Sequence, residues 1–561
     1  NGAKAVAEEA TKNRVSPLFF ATHSISKLSE LSDYEIGKKG RITHPVVVYE
    51  GRDYYEEISW EDAFNMIGKE LKSLPSPDEA IFYTSGRTSN EAAFLYQLFV
   101  RKFGTNNLPD CSNMCHESSG TALTETLGIG KGSVTLDDFN HAELVIVMGQ
   151  NPGTNHPRML SALGETKKRG GKIITINPLP EVGLMRYNDP QNPIKWIGKG
   201  QKLTDVFLQV KINGDVALLK IILKLLWQKE QETPGAIFDH EFIKTNTTGY
   251  EDFITDVETY SIEKLIPQTG IDFKIIEEAA TLIAQKKKII ICWAMGLTQH
   301  KNSVDNIREL VNLLLLKGSI GKQGAGTCPV RGHSNVQGDR TMGIWEKPKE
   351  AFLDNLEKEF NFKAPRKHGY DVVDAIEAMH QKKARVFIGM GGNFLSATPD
   401  TEYTAKALQN CDLTVHVSTK LNRSHLIHGK KALILPCLGR SEKDVQEKGI
   451  QFISVENSMG VVHASSGHVA PLSESLLSEP AIVAGMAKAS LSNTTLNWAE
   501  LIKDYDGIRD KIEATIPGFE NYNNRVREKG GFYLPNTARN KDFSPTLTGK
   551  ANFTINTVSN R

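Results

Sequence analysis

Short apolar runs, rich in β-branched residues, recur along the chain, and each is followed by a turn of Gly, Ser, Asn or Pro and then by a helical pattern. The run 80–83 leads through Ser85, Gly86 and Arg87 into a helix over 90–103, and 144–147 leads into a helix over 157–168. The run 173–176 ends at Asn177 and Pro178, 206–210 precedes a helix over 215–228, and 289–292 precedes one over 304–316. Later runs at 386–388, 413–417 and 433–435 enclose a helix that starts after Pro399. Runs this short and this apolar read as strands buried on both faces, and their alternation with helices implies α/β architecture with parallel sheets. Short helices are expected over 4–10 and 60–74, and 45–48 reads as the edge of a small subdomain. A further helix is expected over 118–127, ended by Gly128 and capped by Ser118 or Ser119.

Two of these strand ends carry the same sequence. Met148, Gly149, Asn151 and Pro157 recur at the same offsets as Met390, Gly391, Asn393 and Pro399, and the strand at 289 closes in a related way on Met295, Gly296, Thr298 and Gln299. Ligands of open α/β sheets lie at the carboxyl ends of the strands, where backbone N–H groups and helix N-termini converge. Two matched turns imply two matched ligand halves.

Two other segments carry chemistry. Cys115 and His116 stand in Asp110-Cys111-Ser112-Asn113-Met114-Cys115-His116-Glu117-Ser118-Ser119-Gly120, just before a predicted helix. A thiol at a helix N-terminus is acidified by the unpaired N–H groups, which suits a nucleophile or a metal ligand. The stretch 324–338 holds Gly324, Gly326, Cys328, Pro329, Arg331, Gly332, His333, Ser334, Asn335, Gln337 and Gly338, a poor helix and a poor strand, and is expected to be a loop built around a ligand. Arg331 among small residues suits a carboxylate or a phosphate.

Composition narrows the classes. A chain of 561 residues exceeds a single core, so several subdomains are expected. With 67 Lys+Arg against 66 Asp+Glu the net charge is +1, which argues against a nucleic-acid partner. The run 289–297 is well short of the roughly 18 residues a membrane helix needs, so no transmembrane segment is expected. Six cysteines fit a reduced, cytoplasmic setting better than a disulfide framework. No Gly-x-Gly-x-x-Gly follows a strand and no Gly-x4-Gly-Lys-Ser/Thr exists, which argues against a simple nucleotide dehydrogenase. His416, His425, His428, His463 and His468 lack zinc-site spacing with cysteines.

Four motifs in order, Asn113-Met114-Cys115-His116, Met148-Gly149-Gln150-Asn151-Pro152, Met295-Gly296-Leu297-Thr298-Gln299 and 328–338, make the chain resemble the molybdopterin-dependent oxidoreductases, specifically the large catalytic alpha subunit of formate dehydrogenase. The resemblance implies two pseudo-symmetric Rossmann-like domains and a molybdenum (or tungsten) ion held by two molybdopterin guanine dinucleotides. It implies Cys115 as the protein ligand to the metal, His116 as acceptor or relay of the substrate proton, and Arg331 as the group that fixes formate during its oxidation to carbon dioxide. Cofactor contacts implied for one nucleotide are Arg87, Ser89, Asn90, Gly149, Gln150, Asn151, Asn155, Asn177, Gly214, Asp215, Met295, Gln299 and Gly332. Those for the other are Gly391, Gly392, Asn393, Ser418, Thr419 and Lys420, while Lys4 resembles the lysine that bridges an iron–sulfur cluster to pterin.

Domains are expected as 1–50 with about 425–561 (a partial N-terminal-type subdomain), 51–110 with 334–424 (first dinucleotide-binding domain) and 111–333 (second). The family's four-cysteine [4Fe-4S] segment and its C-terminal barrel are absent from the sequence, so a fragment is expected, with the cluster belonging to the full-length protein. Expected partners are formate or a similar small molecule and an electron-acceptor protein or subunit. The alternatives are a related oxidoreductase for another small carboxylate or oxyanion, and a non-catalytic cofactor-binding stress-response protein.

Overall fold

The computed structural model describes residues 11–188, 200–492 and 496–558; Lys4 and the helix expected over 4–10 lie outside them. The chain divides into two compact units, the first of 1–114, 333–457 and 461–534 and the second of 115–332, 458–460 and 535–561. The main sheet of the first unit takes β1 (Val46–Tyr49), β2 (Glu56–Glu57) and β3 (Ala80–Thr84) from early in the chain. The main sheet of the second unit follows with β4 (Leu144–Met148), β5 (Lys172–Ile176), β6 (Val206–Leu208), β7 (Ile289–Trp293) and β8 (Gly326–Pro329), after which β9 (Val386–Met390), β10 (Leu413–Ser418) and β11 (Lys431–Pro436) complete the first sheet.

The second unit's sheet has the order β6-β5-β4-β7-β8 and is parallel throughout. Alternate residues of a strand face opposite sides, and here both sides are core. Leu144, Ile146 and Met148 join one apolar cluster and Val145 and Val147 another, and the same split divides Ile289, Ile291 and Trp293 from Ile290 and Cys292. The first unit's sheet has the order β2-β1-β11-β10-β9-β3, parallel from β11 to β3 and antiparallel at β1 and β2. Ala80 and Phe82 of β3 face one core, Ile81 and Tyr83 the other. Burial on both faces is why these strands read as unbroken apolar runs.

Helices α1 (Trp60–Ser73), α2 (Asn90–Phe103) and α3 (Glu117–Leu127) follow the expected spans closely. Ser59 and Ser89 cap α1 and α2, and Gly104 and Gly128, both left-handed, end α2 and α3 at a conformation glycine adopts without strain. Two expectations need correction. Ser118 and Ser119 do not cap α3; His116 occupies the N-cap without a side-chain bond, because the Ser119 hydroxyl is engaged with the His116 ring. Residues 324–338 are not all loop: Gly326–Pro329 is β8 and Val336–Thr341 a short helix. Pairing of β8 with β7, Cys292 opposite Cys328, overrides the weak strand propensity of glycine and proline.

One buried ion pair pins α2 in the first unit. Arg509 Nη1 donates to Glu91 Oε1 at 2.8 Å with both side chains sealed from solvent, and Glu91 also accepts the N–H (2.8 Å) and hydroxyl (2.9 Å) of Ser454. Removing Glu91 leaves Arg509 with only the part-exposed Asp506 as a carboxylate partner and strips the Ser454 N–H of its acceptor. Glu91→Ala is therefore expected to lower unfolding stability by about 3–5 kcal/mol in urea titrations, and a loss under about 1 kcal/mol, the range of an exposed pair, would show that the pair does not hold the helix.

Candidate functional site

At the carboxyl edge of the second unit's sheet the backbones of two strands touch. Gly296 N donates to Gly149 O at 3.0 Å, and a Cβ on Gly296 would lie 2.6 Å from that oxygen. Gly149 has φ of 57°, a conformation glycine takes freely. The turn after Gly149 is held by Asn151, whose Oδ1 accepts Thr154 N at 3.3 Å, and Asn155 at its end is exposed. Asn177 follows β5 with its amide on Leu179 O at 2.8 Å. Gly214 and the buried Asp215 open α4 (Asp215–Glu232) after β6 and a short connection. Met295 and Gln299 follow β7, both exposed, and Gly332 follows Arg331 beyond β8. The sequence-predicted contacts of this unit thus collect on one edge of one sheet.

The Cys115–His116 turn packs onto the same edge. Thr298 Oγ1 donates to Cys115 O at 2.6 Å, and the Cys115 side chain is enclosed, at 8 % exposure, without belonging to either apolar core of this unit. His116 Nδ1 lies 2.9 Å from Ser119 Oγ and Nε2 lies 3.2 Å from Val330 O. Trp293 Nε1 donates to Ser119 Oγ at 2.9 Å, leaving the serine proton for Nδ1, while the Val330 carbonyl can only accept. His116 is therefore neutral with its proton on Nε2. Burial first, then the nearby Arg331 cation, push its pKa down to about 3, against the pull of the Val330 carbonyl.

Arg331 is buried and anchored through both its main chain and its guanidinium. Its N–H donates to Ser458 Oγ at 3.1 Å, its guanidinium Nη2 to Gly130 O at 3.1 Å, and its carbonyl receives His156 Nε2 at 3.1 Å. The sequence named Cys115, His116 and Arg331, showed Ser119 and Thr298 only as a cap candidate and a motif position, and gave no sign of Trp293, His156 or Ser458 at the site. Ser119 carried one legible signal, its place one helical turn after His116.

The first unit repeats the cradle. Gly391 N donates to Val417 O at 2.9 Å just as Gly149 N donates to Ile176 O at 3.0 Å, each reaching the neighbouring strand's end. Gly391 and Gly392, both left-handed, leave room for Ser85, whose hydroxyl would sit 2.7 Å from a Cβ on Gly391. Asn393 Oδ1 accepts Ser424 Oγ at 3.1 Å, Ser418 Oγ lies 3.1 Å from His425 Nε2, and Thr419 and Lys420 follow β10. Arg87 is exposed and donates to His333 Nδ1 at 3.2 Å; burial and this cation bring His333 down to about 4. Ser89 is buried and caps α2, and Asn90 is buried with its amide engaged by Tyr522 (3.3 Å) and Asn335 (3.0 Å), so neither is presented at the surface. Thr84, Ser85 and Thr88 hydroxyls around this turn are buried without a protein partner, as is Gln150 Oε1 in the other unit. Buried polar atoms normally have partners, and a polar, phosphate-bearing ligand would supply them.

The family profile of molybdopterin oxidoreductases matches residues 41–427. The chain belongs to that family. It is 52% identical over 557 residues to an uncharacterized oxidoreductase of Mycobacterium tuberculosis, spanning 99% of this chain and 72% of that protein. It is 29% identical over 395 residues to the F420-dependent formate dehydrogenase 1 subunit alpha of Methanococcus maripaludis, spanning 69% of this chain and 54% of that subunit. Acetylene hydratase from Pelobacter acetylenicus shares the fold, with a TM-score of 0.68 at 17% identity over 94% of this chain and 70% of that one. Membership makes this protein an oxidoreductase and implies a molybdenum or tungsten ion carried by pterin. Among the described residues no helix is long and apolar enough to cross a membrane.

Buried neutral histidines give the family member an acid sensitivity. His416 on β10 is fully enclosed, its Nε2 has no partner, and burial brings its pKa down to about 4. An unfolded histidine titrates near 6.5. The depressed value therefore contributes stability that is complete above about pH 6.5 and is lost as pH falls toward about 4. The urea midpoint is expected to drop over that window, and His416→Phe to reduce the drop by about one proton's worth of slope; an unchanged slope would place the proton uptake elsewhere.

Proposed function

We propose that the chain is the catalytic part of a formate-oxidising enzyme whose metal is carried by two molybdopterin guanine dinucleotides, one for each cradle. The observation that carries this reading is the meeting of Cys115, His116 and Arg331 at one sheet edge within the second unit. The unpartnered Ser85, Thr88 and Gln150 atoms and the left-handed glycines at both strand ends are the features a pyrophosphate and a pterin would fill. Relationship to a formate dehydrogenase alpha subunit supports the substrate.

In this reading Cys115 supplies the one protein ligand, a soft thiolate suited to a polarizable metal. A pterin-borne metal held there would supply the two-electron redox chemistry that turns formate into carbon dioxide. Arg331 pairs with the formate carboxylate and orients its C–H bond. His116 accepts the proton at Nδ1, its lone-pair nitrogen, once the Ser119 hydroxyl turns off it, and its low basicity makes it a relay that passes the proton on rather than a group that keeps it. An acceptor protein or subunit receives the electrons.

Metal analysis with formate-dependent dye reduction tests the assignment on the full-length protein. Cys115→Ser is expected to lower turnover at least about 100-fold, and Arg331→Ala to raise the formate KM about thirtyfold, the equivalent of about 2 kcal/mol of charge-assisted bonding, with metal content kept. Wild-type turnover in the serine variant would refute the ligand role, and metal loss in the alanine variant would refute the substrate role of Arg331.

A further inference from the structure

The two Met-Gly-x-Asn-x5-Pro turns make the same backbone bond at their glycines, so the positions at which they differ mark what each does beyond the shared task. Gln150 of the first copy is Gly392 in the second, and His156 is Thr398. Thr398 serves its own neighbourhood: Oγ1 donates to Leu395 O at 3.1 Å and lies 2.9 Å from Thr404 Oγ1. Gln150 and His156 reach out of their turn instead.

The proton positions along this reach follow from one fixed point. The Arg331 carbonyl can only accept, so His156 Nε2, 3.1 Å away, carries the ring proton. Nδ1 must then accept, and Gln150 Nε2, at 3.2 Å, is its donor. That orientation leaves Gln150 Oε1 buried with no donor from the protein. Gln150 stands one residue past Gly149 in the cradle itself, so an N–H or O–H of a cradled ligand is the group placed to complete it.

Such a restraint acts next to a permissive position: Gly332, which follows Arg331, has no side chain and open space where a Cβ would stand, so no Cβ limits its backbone. We propose that Gln150 and His156 are positioning residues that couple a ligand in the second unit's cradle to Arg331: the ligand orients the amide, the amide orients the imidazole, and the imidazole holds the carbonyl from which the guanidinium is hung. The first unit's turn, with Gly392 and Thr398, has no such extension. This inference rests on reading Arg331 as the anion-binding group.

Two readouts keep the two ideas separable. Phenylglyoxal modification of Arg331, followed by peptide mass spectrometry on the intact chain, reports the restraint without substrate or turnover. The expected result is modification about tenfold faster in His156→Ala, one hydrogen bond's worth of local opening. His156→Gln keeps an N–H donor of similar reach and is expected to restore the slow rate, and Gln150→Ala to fall between. In formate-dependent dye reduction His156→Ala is expected to raise KM while leaving kcat within about twofold, a split that general loss of structure would not produce. An unchanged modification rate in His156→Ala, or no rescue by His156→Gln, overturns the relay. A rate that rises in His156→Ala and recovers in His156→Gln, in a protein that does not respond to formate at all, upholds the relay and sinks the formate reading instead.

Discussion

The contact between the ends of β4 and β7 sets the rest of the candidate site. Gly149 and Gly296 bring two backbones within hydrogen-bonding distance, and a side chain on either would drive a carbon to within 2.8 Å of the other's main chain. That closeness fixes the turn 295–298, and the turn places Thr298 on the Cys115 carbonyl. One residue before the turn, Trp293 reaches Ser119 and through it the His116 ring. The thiol and the imidazole are thus referenced to the end of one strand rather than to their own short segment.

The two units solve the same packing problem separately. In each, a mainly parallel sheet is buried on both faces, which leaves its carboxyl edge as the place where irregular backbone gathers polar groups. The glycine-to-neighbour bond, the asparagine two residues on, and the proline that opens the next helix or its approach recur in both. The first unit adds a charged anchor, the Glu91–Arg509 pair, directly behind the loop that holds Ser85 and Arg87. The second adds the reach of Gln150 and His156 toward Arg331. A duplicated cradle has become two different ones through side chains outside the shared pattern.

Much of this was legible because the signals are local. Strands such as 80–84 and 386–390 show as apolar runs since neither face meets water, and the spans of α2 and α3 follow from periodicity and a glycine stop. Cys115, His116 and Arg331 stood out by residue type, and the motifs around them carried the family. The partners did not show. Thr298 lies 183 positions from Cys115 and Trp293 lies 174 from Ser119, so only the folded sheet brings them together. Strand β8 escaped because glycine and proline hide a strand whose order comes from its neighbour, and Asn90 was read as ligand-facing although the fold turns its amide inward.

Helix α3 has a part in the chemistry at both ends. The Cys115–His116 turn precedes its first residue, and past its left-handed stop at Gly128 the carbonyl of Gly130 receives the Arg331 guanidinium. Eleven residues of α-helix make a rod about 16 Å long that neither stretches nor shortens. The spacing between the sulfur-bearing end and the guanidinium's tether is consequently a property of residue count, like the pitch of a gauge block. An insertion or deletion in this rod would re-aim the two groups by about 100° per residue, so their mutual orientation is written into the helix length.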